Sequence, residues 1–201
     1  MKAPSSTRFG AILLAGGRAS RMGGIDKPGL LVDGVSMRDR AIAAVRSAEA
    51  EPVIVVGPAS ASAAPTATGV RWVREDPPFS GPAAAVVAGL AAMAADAAEW
   101  TFLLACDLPR PDAAVAALLD GIVGRDGACL TDAAGRMQWL TGVYRTAALG
   151  AAASALPDAG RDQPVRALLS GLAITTLTDP DAGARDVDTW EDYDQLTKEH
   201  P

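Results

Sequence analysis

Apolar residues along this chain fall into short continuous runs separated by longer stretches in which they recur every three or four positions. The runs at 9–14, 53–56, 70–73, 101–105, 128–131 and 174–177 have the length and continuity of strands buried on both faces. Helical spacing marks 37–47, 82–95, 112–123, 147–156, 164–169 and 189–198. Start signals agree with these elements: Ser36 and Thr146 as caps, Pro82 and Pro164 in first turns, Asp112, and Thr189 followed by Glu191 and Asp192. A further stretch, 136–144, mixes Trp139, Leu140, Val143 and Tyr144 with Gly142 and reads as an antiparallel strand at one side of the sheet. Strands alternating with helices predict βαβ units, and hence a three-layer, Rossmann-like α/β fold around a mainly parallel sheet.

Composition narrows the chemistry. At 201 residues, 49% hydrophobic and 21% charged, the chain suits one domain over 9–201, with residues 1–8 as a short disordered arm. A net charge of −6 speaks against non-specific nucleic-acid binding, yet the first 50 residues carry +4 and the remainder −10. No apolar stretch reaches the roughly 18 residues of a membrane span, and 9–14 is too short for a signal-peptide core. Cys106 and Cys129 are too few for a disulfide framework and suit a reducing cytoplasm. His200 is the only histidine, which removes Ser-His-Asp, Cys-His and His-ligated metal chemistry. Catalysis is left to carboxylates, cations, backbone groups and a hard metal.

The richest motif leaves the first strand: Leu14-Ala15-Gly16-Gly17-Arg18-Ala19-Ser20-Arg21-Met22-Gly23-Gly24-Ile25-Asp26-Lys27. Gly16 and Gly17 are free to take positive φ and bring backbone N–H groups to an anion, while Arg18, Arg21 and Lys27 add full charges. Lys27 stands between Asp26 and Pro28, so this is not a P-loop, and no G-x-G-x-x-G follows the strand. Asp107 ends another strand and is placed to hold Mg²⁺ beside phosphate oxygens. Asp186 and Asp188 precede the last helix, where Asp188 reads equally as a second metal contact or a cap. Glu75-Asp76 through Ser80-Gly81-Pro82 offers Asp76 and Ser80 to ligand hydroxyls and a helix N-terminus at Gly81-Pro82, and a plain strand-to-helix connection explains it as well. Arg136, Trp139, Thr141, Tyr144, Arg145 and Arg161 are candidates to line an acceptor pocket.

These residues together resemble the molybdenum cofactor guanylyltransferases of the MobA type, nucleotidyltransferases with a nucleotide-diphospho-sugar-transferase-like fold. The resemblance covers about Phe9 to Leu196 and is carried by Leu14-Ala15-Gly16-Gly17, Ser20-Arg21-Met22-Gly23, Asp26-Lys27, Gly81-Pro82, Cys106-Asp107-Leu108-Pro109 and Asp186-Val187-Asp188-Thr189. It implies that Leu14, Ala15 and Gly16 contact the base and sugar side of a nucleotide, with Gly17, Asp76 and Gly81 as further nucleotide contacts. Lys27 would bind phosphates, Arg21 the triphosphate and Asp107 the Mg²⁺, making Arg21, Lys27 and Asp107 the catalytic set. The implied reaction moves GMP from GTP to the terminal phosphate of molybdopterin or its molybdenum-loaded form and releases pyrophosphate. Transient contact with cofactor-synthesis or acceptor proteins is also implied. Two departures bear on base choice: Asp186-Val187-Asp188 stands where relatives often show Asn-x-Asn, and the asparagine expected near Gly57 is missing. A cytidylyltransferase, a transferase with another phosphorylated acceptor and a non-catalytic nucleotide-binding adaptor are the alternatives.

Overall fold

In the structure, a computed structural model, the described residues are 7–16, 25–58, 69–122, 125–179 and 189–199. Their chain order is β1 (Phe9–Leu14), the β2 (Leu31–Val32) and β3 (Val35–Ser36) hairpin, α1 (Met37–Ser47), β4 (Val53–Val56), β5 (Val70–Val73) and α2 (Pro82–Met93). Then come β6 (Trp100–Ala105), α3 (Pro111–Asp120), β7 (Gly127–Thr131), β8 (Met137–Arg145), α4 (Thr146–Ser154), α5 (Val165–Leu169), β9 (Ile174–Thr178) and α6 (Trp190–Glu199).

Seven strands make one sheet in the order β5-β4-β1-β6-β8-β7-β9. β1 pairs in parallel with β4 on one side and β6 on the other, so the winding direction reverses at β1. Only β8 runs against the rest, antiparallel to β6 and β7. The expected antiparallel strand is therefore present, but inside the sheet rather than at one side.

The apolar runs become strands because both sheet faces are covered. Ala11, Leu13, Val53, Val55, Phe102 and Leu104 face α1 and α3 in one core. Ile12, Leu14, Ile54, Val56 and Leu103 face α2, α4 and α5 in the other. Side chains alternate across a strand, so continuous apolar sequence is what a doubly covered sheet demands. Ser36 caps α1 as expected, its Oγ accepting the Asp39 N–H at 3.0 Å. Thr189 caps α6 in a reciprocal box with Asp192, whose N–H donates to Thr189 Oγ1 at 3.1 Å. α2 stops at Met93 and continues as a 3-10 turn over Ala94–Asp96.

The β2–β3 hairpin was not anticipated, although Asp33 and Gly34, at φ 54° and 77°, form the two-residue turn such a hairpin requires. β8 is interior because it pairs with β6 on one side and β7 on the other, and it carries a bulge against β7. Its register against β7 jumps between Cys129 and Leu130, from Gly142 to Gln138, which takes the Trp139 carbonyl off the β7 ladder. The buried Tyr144 hydroxyl donates to that carbonyl at 2.8 Å. Its ring fills the space over Gly142 and Gly127, where a Cβ would lie 2.5 Å from Tyr144 atoms. Tyr144→Phe is expected to strand the Trp139 carbonyl and destabilise the fold by about 1–3 kcal/mol, read as a lowered urea midpoint with unchanged slope.

Candidate functional site

Parallel strands end on a common edge, and at a reversal of winding the loops that leave them diverge and open a crevice. Here that crevice lies between β1 and β6. Leu14 ends β1 opposite Val56 of β4 and Ala105 of β6. Ala15 follows, buried, with its N–H donating to the Val56 carbonyl at 2.8 Å. Gly16 is exposed above the edge. Its φ is not positive, and a Cβ there would meet nothing nearer than the Gly57 Cα at 3.8 Å. The freedom to take positive φ is thus not used at Gly16: the backbone leaves the strand without the left-handed turn, and glycine provides clearance on the open side.

The tight approach is made by Gly57 instead. A Cβ at Gly57 would lie 2.8 Å from the Ala15 carbonyl carbon and 3.1 Å from the Gly16 nitrogen. The end of β4 therefore supports the β1 loop only because residue 57 has no side chain. The sequence carried one signal for this: Gly57 occupies the region where relatives were expected to show an asparagine.

Lys27 opens a 3-10 turn, Lys27–Gly29, that packs on α1; the Met37 N–H fastens it by donating to the Leu30 carbonyl at 2.9 Å. Asp107 lies two residues beyond β6. The two meet across the crevice, Lys27 Nζ donating to Asp107 Oδ2 at 2.6 Å, with side-chain exposures of 12% and 22%. This pair joins positions 80 apart in sequence and puts a cation and a carboxylate at the mouth of β1 and β6. Partial burial makes the charges stronger than on the open surface while leaving both accessible to a ligand.

Other expected residues are more dispersed. Asp76 is exposed three residues beyond β5, on the same edge and two strands from β1. Gly81 caps α2 at φ 95°, a conformation glycine tolerates and other residues strain to reach, with Pro82 at the first helical position. Ser80 is buried, and its hydroxyl donates to the Pro77 carbonyl at 2.5 Å, holding the loop rather than offering itself to a ligand. Gly17, Arg21 and Asp188 lie outside the described residues. Among the described residues no group of three or more His, Cys, Asp or Glu could cage a metal ion.

The acceptor candidates divide. Trp139 packs against the α2-face core, and Thr141 and Tyr144 are buried. Arg145 is at the far end of β8, bonded to Glu99 at 3.0 Å beside Trp100, on the edge opposite the crevice. Strand direction decides this: β8 runs backwards, so its start, not its end, reaches the carboxyl edge. Arg136 is at that start but is paired with Asp132 at 2.8 Å. The Asp132 carboxyl is held below its usual range, first by the Arg136 backbone N–H.

Cys106, directly before Asp107, is buried, and burial pushes its thiol far above the ordinary value, with the Asp107 charge adding to the shift. Cys129 is pushed up to about 11, mainly by burial. Neither is a usable nucleophile near neutrality. Both thiols are expected to resist a thiol reagent such as DTNB at pH 8 in the native protein and to react fully in guanidinium chloride.

Among the described residues no helix is long and apolar enough to cross a membrane. The chain is 40% identical over 114 residues to a probable molybdenum cofactor guanylyltransferase of Opitutus terrae, covering 57% of this chain and 54% of that protein. It is 35% identical over 117 residues to a molybdenum cofactor guanylyltransferase of Acidiphilium cryptum, covering 54% and 55%. It thus spans about half the length of the curated relatives it matches. A nucleotidyl transferase from Methanothermobacter thermautotroptrophicus shares the fold at a TM-score of 0.76 and 21% identity, over 97% of this chain and 98% of that one. The family described as MobA-like NTP transferase domain matches residues 11–177, which contain the strand-end loop, Lys27, Asp76, Gly81 and Asp107, and the chain belongs to that family.

Proposed function

We propose that the protein transfers GMP from GTP to the terminal phosphate of molybdopterin or its molybdenum-loaded form, releasing pyrophosphate. The observation that carries this reading is the Lys27–Asp107 pair at 2.6 Å across the β1–β6 crevice. The relatives named as guanylyltransferases supply the substrates of the proposal.

The acceptor's phosphate monoester is largely ionised at neutral pH because its second pKa is about 6, so its oxygen needs no general base. That suits a site without a histidine. An acceptor oxygen bonds to the α-phosphorus of GTP as the bond to the β-phosphate oxygen breaks, and pyrophosphate departs with the electron pair. The protein's task is to bring two anions together and offset their charge. Lys27 serves as a point charge on the triphosphate, donating from Nζ to its oxygens. Arg21 is proposed to act beside it. Leu14, Ala15 and Gly16 take the sugar and base side and Gly17 is a further nucleotide contact, with clearance at Gly16 admitting the ligand close to the backbone. Asp76 and Gly81 are further nucleotide contacts on the same edge.

The donor set fits Mg²⁺ held largely through substrate phosphates. Asp107 supplies one accessible carboxylate, and Mg²⁺ takes one or two carboxylates plus phosphate oxygens while keeping its waters. When bound, the ion neutralises charge on the phosphates. Asp107 would hold it, with Asp188 proposed as a second ligand. Location in the cytoplasm and transient contact with proteins of cofactor synthesis belong to the same proposal.

Lys27→Ala and Asp107→Ala are expected to stay folded and to lose roughly 10²–10³-fold in turnover, as removal of preorganised charge does elsewhere. Pyrophosphate release is to be measured with GTP and with CTP, each with and without molybdopterin. Release that requires both GTP and molybdopterin supports the reading. Near wild-type release by either variant overturns the roles assigned, and release with CTP alone reassigns the base. Tight GTP binding without turnover under any acceptor favours an adaptor.

A further inference from the structure

Arg38 is the least comfortable side chain among the described residues. It sits at the second position of α1, where the helix presents its positive end, and is 1% exposed. Its Nε has no hydrogen-bond partner. The nearest carboxylates stop short of hydrogen bonds: Asp26 Oδ2 is 3.8 Å from Nη1 and Asp39 Oδ1 is 3.9 Å from Nε. Asp39 is held there by the helix cap, its Oδ2 accepting from Ser36 Oγ at 2.6 Å. The Trp72 ring, 5.4 Å from the guanidinium carbon, covers another side.

Stability alone does not explain this residue. A buried cation without close partners costs more desolvation than it regains, and an aliphatic side chain of similar volume packs the same space without that cost. Its surroundings point to the site instead. Asp26 is the residue before Lys27, and its backbone carbonyl accepts the Gly29 N–H at 2.9 Å within the turn that carries Lys27. Arg38, Asp26 and Asp39 are also all within electrostatic reach of Cys106, the neighbour of Asp107. The buried charge is thus close to the crevice pair through the sequence neighbour of each member, Asp26 and Cys106.

We propose that Arg38 is a positioning residue for nucleotide binding: its buried guanidinium attracts the Asp26 carboxylate and thereby sets the pose in which Lys27 is presented to the crevice. This rests on the reading of Lys27 as a phosphate ligand. The gap of 3.8 Å leaves the Asp26–Lys27 turn room to settle onto Arg38 when Lys27 moves from Asp107 to a phosphate. Losing the charge would leave the fold in place and the lysine misdirected.

The test uses Arg38→Met, Arg38→Lys and Asp26→Asn with two readouts. One is the dissociation constant for Mg·GTP by calorimetry. The other is the ¹³C resonance of Lys27 after reductive methylation, assigned with Lys27→Arg, since the only other lysines are Lys2 and Lys198. Arg38→Met is expected to keep the wild-type melting temperature or exceed it, to shift the Lys27 resonance and to weaken Mg·GTP binding by roughly tenfold to a hundredfold, as loss of supporting partners does. Arg38→Lys keeps the charge and is expected to bind within about threefold of wild type. Should Arg38→Met not fold, Asp26→Asn decides: it is expected to move the Lys27 resonance while Arg38→Lys does not. Folded Arg38→Met or Asp26→Asn with wild-type affinity and an unmoved Lys27 resonance overturns the proposal. If the wild type does not bind GTP yet Arg38→Met moves the resonance, the proposed function fails while the positioning role stands.

Discussion

The structure depends on the placement of β1 between two parallel neighbours with windings of opposite sense. Because β4 and β6 flank it in register, the residues that leave β1 have no strand above them and must diverge from those that leave β6. The candidate site is hung on that divergence. Lys27 returns to the crevice from the β1 side and Asp107 from the β6 side, and their 2.6 Å contact closes a gap that the backbone opens. Neither residue needs a special local conformation to arrive there. The sheet brings them together.

Support for the crevice comes from backbone contacts behind it. Gly57 lets the end of β4 lie directly against the Ala15–Gly16 backbone, and any side chain there would push the loop from its seat. The Leu30 carbonyl ties the Lys27 turn to the first N–H of α1, so the helix capped by Ser36 is also the platform for the cation. Rigid elements hold Lys27 and Asp107, and the loops between them supply the clearance.

Much of this was legible in the order of residues. Doubly covered strands must be apolar throughout, which is why Phe9–Leu14 and Val53–Val56 stand out, and a charged residue just past such a run has to appear on the carboxyl edge. That logic pointed to Asp107, whereas Lys27, farther from its strand, stood out through the glycine-rich loop that leaves β1. It failed where the answer depended on partners remote in sequence. The interior position of β8 is set by pairing with β6 and β7, and its reversed direction sends Arg145 to the wrong edge for an acceptor site. The close approach at Gly57 and the burial of Arg38 are likewise properties of packing, since a glycine after a strand and an arginine in a charged helix turn look ordinary in isolation. The Asp33-Gly34 turn is different: its hairpin signal stands in the two turn residues themselves.

In the proposed function a nucleotidyl group, and not a phosphate, changes hands at the Lys27–Asp107 crevice. Incubation with molybdopterin and GTP labelled in turn at the α- and γ-phosphates tests it most directly. Nucleotidyl transfer puts α-label in a molybdopterin product and γ-label only in pyrophosphate. Label from the γ-position in the acceptor or in free phosphate, with none transferred from the α-position, would contradict it.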